Sequence, residues 1–206
     1  MKVLVACEES QRVCIEFRRL GHEAYSCDIE PCSGGHPEWH LQVDALEMLK
    51  IHWDMIIAHP PCTYLSKAGA VRMRVKGEIV QERYQKMLEA KAFFMKFYNA
   101  DCPRIAIENP TPMKIVGLPP YNQVIQPYDF GHPYSKRTCL WLKGLPPLFA
   151  TEIIQDYEPY VNGGCKDAHG NYRRFQGRKE RDKKTRSKTF LGIAKAMAEQ
   201  WGRKVI

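Results

Sequence analysis

No apolar run in these 206 residues approaches the roughly 18 needed to span a bilayer. The start, Met1-Lys2-Val3-Leu4-Val5-Ala6-Cys7-Glu8-Glu9, turns acidic too soon for a secretory leader, so the expectation is a soluble, cytoplasmic chain with no membrane partner. The eight cysteines include no CxxC pair, and several lie in apolar segments where a small thiol simply packs. Cys32, His36 and His40, with Cys27 nearby, have ligand-like spacing, but without a paired CxxC they read as a loop with incidental His and Cys, and no metal is expected. There is no internal repeat. What is present suits one compact α/β or α+β domain: 44% hydrophobic and 26% charged residues. The net charge of +8 is uneven, because residues 165–188 hold ten basic residues against three acidic ones and so carry +7 of it. A nearly neutral body with one basic segment excludes a histone-like protein and suggests a local polyanion contact.

Apolar periodicity orders the rest. Residues 2–6 read as a strand and 13–20 as an amphipathic helix ending at Gly21; 22–27 form a second strand closed by Asp28. Residues 43–50 suggest a short helix. The continuous run 53–58 suits a strand buried on both faces, stopped by His59-Pro60-Pro61. A long helix is expected over 78–98, strands over 104–107 and 138–142, and a last helix over 188–202 with Ser187 as its cap. This alternation predicts a mostly parallel sheet covered by helices.

Ligands in such sheets sit beyond the carboxyl ends of the strands. Asp28, Pro60-Pro61-Cys62 and Glu108-Asn109-Pro110 all fall there. Taken alone, Cys62 is either a packing thiol or a nucleophile aimed by two prolines that fix the backbone without N–H donors. Glu108 is either a loop cap or a partly buried carboxyl whose raised pKa makes it a proton donor.

The sequence from Asp54 through His59-Pro60-Pro61-Cys62 to Ser66 resembles the catalytic loop of the cytosine-C5 DNA methyltransferases, where a strand runs into a Pro-Cys dipeptide. Ile107-Glu108-Asn109-Pro110 is similar to their Glu-Asn-Val motif, and Phe130-Gly-His-Pro-Tyr-Ser-Lys136-Arg137 to their Gln-x-Arg-x-Arg motif. The resemblance spans residues 1 to about 145 plus the last helix, and is narrowest to small phage and prophage members. It implies a Rossmann-like fold, a bacterial or phage-infected host cell, S-adenosylmethionine (SAM) as cofactor and DNA, double- or single-stranded, as partner. It also implies that Cys62 adds to carbon 6 of cytosine, that Glu108 donates to ring nitrogen 3, that Arg137 or Lys136 holds oxygen 2, and that Asn109 positions the cysteine loop. The target base must be flipped out or already single-stranded. By the same resemblance the cofactor is held by Ala6, Cys7, Glu8, Ser10, Asp28, Ile29, Asp44, Ala45, His59 and Pro60.

Two departures stand against that pattern. The family's glycine-rich turn after the first strand is here Cys7-Glu8-Glu9-Ser10-Gln11-Arg12, so side chains replace backbone contacts or the cofactor sits differently; Arg12 would suit a donor with an added carboxylate. The family's large target-recognition domain is replaced by residues 149–187, read either as a solvated loop or as a phosphate-tracking arm in a single domain of 1–206. In the second reading Arg173, Arg174, Arg178, Lys179, Lys183 and Lys184 track phosphates, Tyr172 and Phe175 stack on bases, and Ser66 touches nucleic acid from the cysteine loop. Sequence discrimination would then be low, or supplied by a specificity partner. A catalytically silent nucleic-acid-binding protein, and the same chemistry on RNA or a free cytosine nucleotide, remain the alternatives.

Overall fold

The computed structural model describes every residue except 162, 167–171, 176–182 and 204–206, and gives backbone alone at 163–166, 172–175 and 183. Seven strands form the main sheet: β1 (Lys2–Ala6), β2 (Glu23–Cys27), β3 (His40–Leu41), β4 (Met55–Ala58), β5 (Ile105–Pro110), β6 (Gln123–Ile125) and β7 (Thr138–Lys143). Their order is β3-β2-β1-β4-β5-β7-β6. β7 pairs antiparallel with both β5 and β6, so six strands share one direction and β7 alone is reversed. The helices are α1 (Arg12–Arg19), α2 (Ala45–Met48), α3 (Gln81–Tyr98) and α4 (Leu191–Trp201), with a short helix at Lys183–Ser187. This is the expected α/β, Rossmann-like class, and none of the described helices is long and apolar enough to cross a membrane.

The strands alternate between two cores because successive side chains point to opposite faces. Val3, Val5, Met55 and Ile57 join Phe17 of α1 and Ile193, Met197 and Trp201 of α4. Leu4, Ala6, Ile56 and Ala58 join Met87, Phe94 and Phe97 of α3. Helices therefore cover both faces, and the central strands are apolar on both sides.

Several boundaries differ from the periodicity. β4 starts at Met55 rather than residue 53, because its pairing with β1 begins at Val3↔Met55; Trp53 lies before it, its indole N–H donating to the Met48 carbonyl. α3 starts at Gln81 rather than 78 because Glu78–Ile79 pairs with Arg74–Val75. α4 starts at Leu191 after Phe190, so Ser187 is not its cap; the Ser187 hydroxyl donates to the Lys184 carbonyl at the end of the preceding short helix. β5 does not stop at residue 107: β4 accompanies it only to the Ala58↔Ile107 pair, but β7 pairs with it up to Thr138↔Pro110. Glu108 and Asn109 are thus held in extended backbone just past the point where β4 has ended.

Candidate active site

The Pro60-Pro61 break ends β4, and the chain turns at once: the Cys62 carbonyl accepts from the amides of Leu65 and Ser66. The Asn109 side-chain amide donates to the Pro60 carbonyl at 2.8 Å, a buried bond that ties the end of β5 to the start of the cysteine turn. The Met113 amide donates to the Leu65 carbonyl at 2.8 Å and the Lys67 amide to the Thr111 carbonyl at 2.9 Å, fastening the far side of the turn to the same segment. Cys62 is partly exposed at the head of this turn. Ser66, expected at the nucleic acid, is only 5% exposed and serves the turn instead, because its backbone amide is committed to Cys62 and it bridges to Pro112.

Glu108 is nearly buried. Its Oε2 accepts from His59 Nδ1 at 2.9 Å and from the Thr189 hydroxyl at 3.4 Å. Burial pushes its carboxyl up, but the His59 hydrogen bond and charge, together with Lys136 and Thr189, overcome that and hold it below the usual carboxylate range. The raised pKa expected for a proton donor is therefore not found: the resting Glu108 is a carboxylate. Burial pulls the His59 imidazole down, yet Glu108 and then Glu8 outweigh it and raise it, with Lys136 opposing. His59 and Glu108 are joined by this hydrogen bond, and each shifts the other toward its charged form.

The adjacent cations separate. The Lys136 ammonium donates to the Arg186 carbonyl at 3.0 Å, lies over the Tyr160 and Phe190 rings, and acts on Glu108. Arg137 is exposed and turns the other way, donating to the Thr111 hydroxyl at 3.2 Å and the Tyr121 hydroxyl at 3.3 Å. Lys136 is the one that faces the carboxylate.

The turn after β1 explains how the chain dispenses with glycine. Cys7 (φ 59°) and Gln11 (φ 58°) both adopt the left-handed conformation that glycine reaches without strain. Side chains fill the space that glycines would leave open. The Glu8 carboxylate, 4% exposed, accepts from the Val13 amide at 2.8 Å and the Cys14 amide at 3.3 Å at the amino end of α1. Burial raises its pKa against the opposing effects of His59, those amides and Arg12. Gln11 is fully buried and bonds to Ser26 and to the backbone of His36, and Gly34 packs so closely on it that a Cβ there would lie 2.6 Å from the Gln11 Cβ. Ser10 is also buried.

Farther along the rim, Cys7 faces acids. Burial first, then Asp28, Cys27 and Asp44, drive its thiol pKa upward. Asp28 accepts from the Glu30 amide, Asp44 caps α2 just before Ala45, Ile29 is 70% exposed, and Ala6 lies buried between its β2 and β4 partners. Asp28 and Asp44 thus both lie near Cys7, just past the end of β1. The α1 amino end does not fit a carboxylate ligand, because Glu8 already takes its amides.

His36 and His40 do not converge on Cys32. His36 stacks on Trp39 and pairs with Glu38; His40 bonds Ser26 and the Glu30 carbonyl. Of the basic residues expected on nucleic acid, Lys184 is exposed with its ammonium 3.9 Å from Glu9 Oε2; Lys188, beyond that set, lies 3.7 Å from Glu9 Oε1. Tyr172, Arg173, Arg174 and Phe175 lie in a strand whose backbone pairs with Gly163–Lys166, and the backbone of Lys183 is helical; their side chains, and all of Arg178 and Lys179, lie outside the described residues.

Sequence reasoning missed Glu8 as a helix-capping acid and His59 as the partner of Glu108. A signal for the second existed: β4 and β5 are parallel neighbours in the register Ala58↔Ile107, so His59 and Glu108 are simply the next pair.

No protein-family model matches the chain, and no curated protein matches it in sequence. Among solved structures it is similar to a protein described as a DNA modification methyltransferase encoded within a prophage of E. coli, at 15% identity and TM-score 0.44 over 69% of this chain and 46% of that one. It is also similar to the Entamoeba histolytica methyltransferase EhMeth (14%, TM-score 0.46, 79% and 58%) and to the S. pombe Dnmt2 methyltransferase (13%, TM-score 0.41, 71% and 51%). The chain spans about half the length of these structures.

Proposed function

We propose that the chain is a methyltransferase that moves a methyl group from SAM to carbon 5 of cytosine in DNA, with low or short sequence specificity. The observation that carries this reading is the Asn109–Pro60 bond, which joins a cysteine turn to a strand end bearing a buried carboxylate. Carbon 5 of cytosine is too weak a nucleophile to take a methyl group directly. Addition of the Cys62 thiolate at carbon 6 makes the ring an enamine, splitting one hard step into easier ones. Glu108 reads the ring's nitrogen edge, and Lys136, rather than Arg137, is the cation on its side of the site. SAM supplies an electrophilic methyl; Asp28, Ile29 and Asp44 suit its adenosine half. The test is DNA carrying 5-fluorocytosine, incubated with SAM, which is expected to give a covalent adduct that Cys62→Ser abolishes. Absence of an adduct on both single- and double-stranded DNA would overturn the reading.

The Glu8 plug at α1 favours a second reading, a catalytically silent nucleic-acid-binding protein. A SAM titration separates the two, since only the enzyme needs the cofactor.

A further inference from the structure

We propose that His59 is a positioning residue that stores the catalytic proton behind Glu108 and delivers it through that carboxylate when the base is attacked. The inference rests on the cytosine-C5 reading above. A bare carboxylate accepts hydrogen bonds and cannot donate one, yet nitrogen 3 of a cytosine under attack needs a proton. His59 Nδ1 stands 2.9 Å from Glu108 Oε2, and the two side chains are only 13% and 12% exposed. The groups acting on the ring come from three elements: Glu108 from β5, Glu8 from the turn after β1, and Lys136 from the segment before β7. Glu108 and Glu8 favour the charged form of the ring and Lys136 opposes it, Glu8 acting under its own burial, which favours its neutral form, while its oxygens accept from the α1 amides. The other protons at Glu108 are less suitable. The Thr189 hydroxyl is 3.4 Å away and a very weak acid. The Lys136 ammonium is turned to the Arg186 carbonyl, to which it donates at 3.0 Å. His59 Nε2 is buried without a partner, so solvent does not reach that side of the ring.

The steps balance. As the bond between Cys62 Sγ and carbon 6 forms, the 5,6 double-bond pair shifts to carbons 4 and 5, and the pair of the carbon 4–nitrogen 3 bond moves onto nitrogen 3. Nitrogen 3 takes a proton through Glu108, which takes the Nδ1 proton of His59, leaving a neutral imidazole and a restored carboxylate. The pair between carbons 4 and 5 then forms the bond to the methyl group, whose donor sulfonium would keep the pair of the bond that breaks, leaving positive charge shared by nitrogens 3 and 4. Carbon 5 loses its proton to water, that C–H pair reforms the 5,6 double bond as the Sγ–carbon 6 bond breaks to return the thiolate, and nitrogen 3 passes its proton back to His59 through Glu108.

The test compares methyl transfer to cytosine DNA by the intact protein and by His59→Asn, whose amide keeps a donor on Glu108 but has no labile proton near neutrality. DNA binding is expected to persist, the transfer rate to fall on the order of 10²-fold, and the alkaline limb of the rate–pH profile to vanish. An unchanged rate and profile in His59→Asn would overturn the proposal. A wild-type protein that forms no 5-fluorocytosine adduct would instead overturn the reading beneath it. Nitrogen-15 NMR of the wild-type histidines is independent of how the variant folds: His59 is expected as imidazolium at pH 7, and a neutral ring would refute its role.

Discussion

At the residue scale, the hydrogen-bonded pair of His59 and Glu108 ties stability to pH. Glu108 is held below its ordinary 4.5, so its share of stability is complete above about that pH and is lost as pH falls through the lowered folded value. His59 is held above its ordinary 6.5, so its share is complete below about that pH and is lost as pH rises through the raised folded value. Glu8 acts oppositely: its raised folded value makes the folded state less favoured as pH climbs above 4.5. The pair's contribution therefore peaks between about pH 4.5 and 6.5. Thermal melts of wild type and His59→Asn across pH 4–9 should show their largest gap inside that window and a narrowing gap above it. None of this was legible from local pattern. Cys62, Glu108 and Asn109 stand out as polar groups at apolar strand ends, but the charge state of Glu108 is set by a residue 49 positions away.

At the element scale, the central strands were readable because a doubly buried strand is apolar throughout. β1 matches its expected bounds, and α1 and β2 fall within a residue of theirs. β3 and β6 escaped notice because two and three residues, some of them polar, leave no period to detect. The extension of β5 through Pro110 was hidden too: a proline normally ends a strand, but here β7 supports the neighbouring residues. α4 depends on a close approach that only glycine allows. A Cβ on Gly192 would lie 1.9 Å from the Phe130 carbonyl oxygen, and the Gly192 amide donates to His132 Nε2 at 2.9 Å. No side-chain rotation relieves a clash with backbone, so Gly192→Ala should shift α4 and cost roughly 1–3 kcal/mol, seen as a lower melting temperature.

At the scale of the whole molecule, the charge imbalance has a definite neighbour. The short helix at Lys183–Ser187 and the residues after it reach the site: Lys184 and Lys188 approach Glu9, Lys136 bonds the Arg186 carbonyl, and Arg12 donates to the Thr189 carbonyl. The end of the basic segment thus lies against both the turn after β1 and the Glu108 pocket. If the segment grips phosphates, DNA affinity should fall steeply and linearly on a log–log plot as salt rises. A flat response in a filter-binding or anisotropy titration would contradict that role.

The reversed direction of β7 has a geometric consequence for the cations. Cys62 follows the end of β4 and Glu108 lies near the end of β5, both strands pointing toward the rim, whereas Lys136 and Arg137 enter it before their strand begins. Their spacing from Glu108 is therefore measured by the ladder itself, through Thr138↔Pro110 and Leu140↔Glu108. Because side chains alternate along extended chain, slipping that ladder by a single residue would exchange the faces of lysine and arginine. The β5–β7 register is thus a ruler that decides which cation meets the carboxylate.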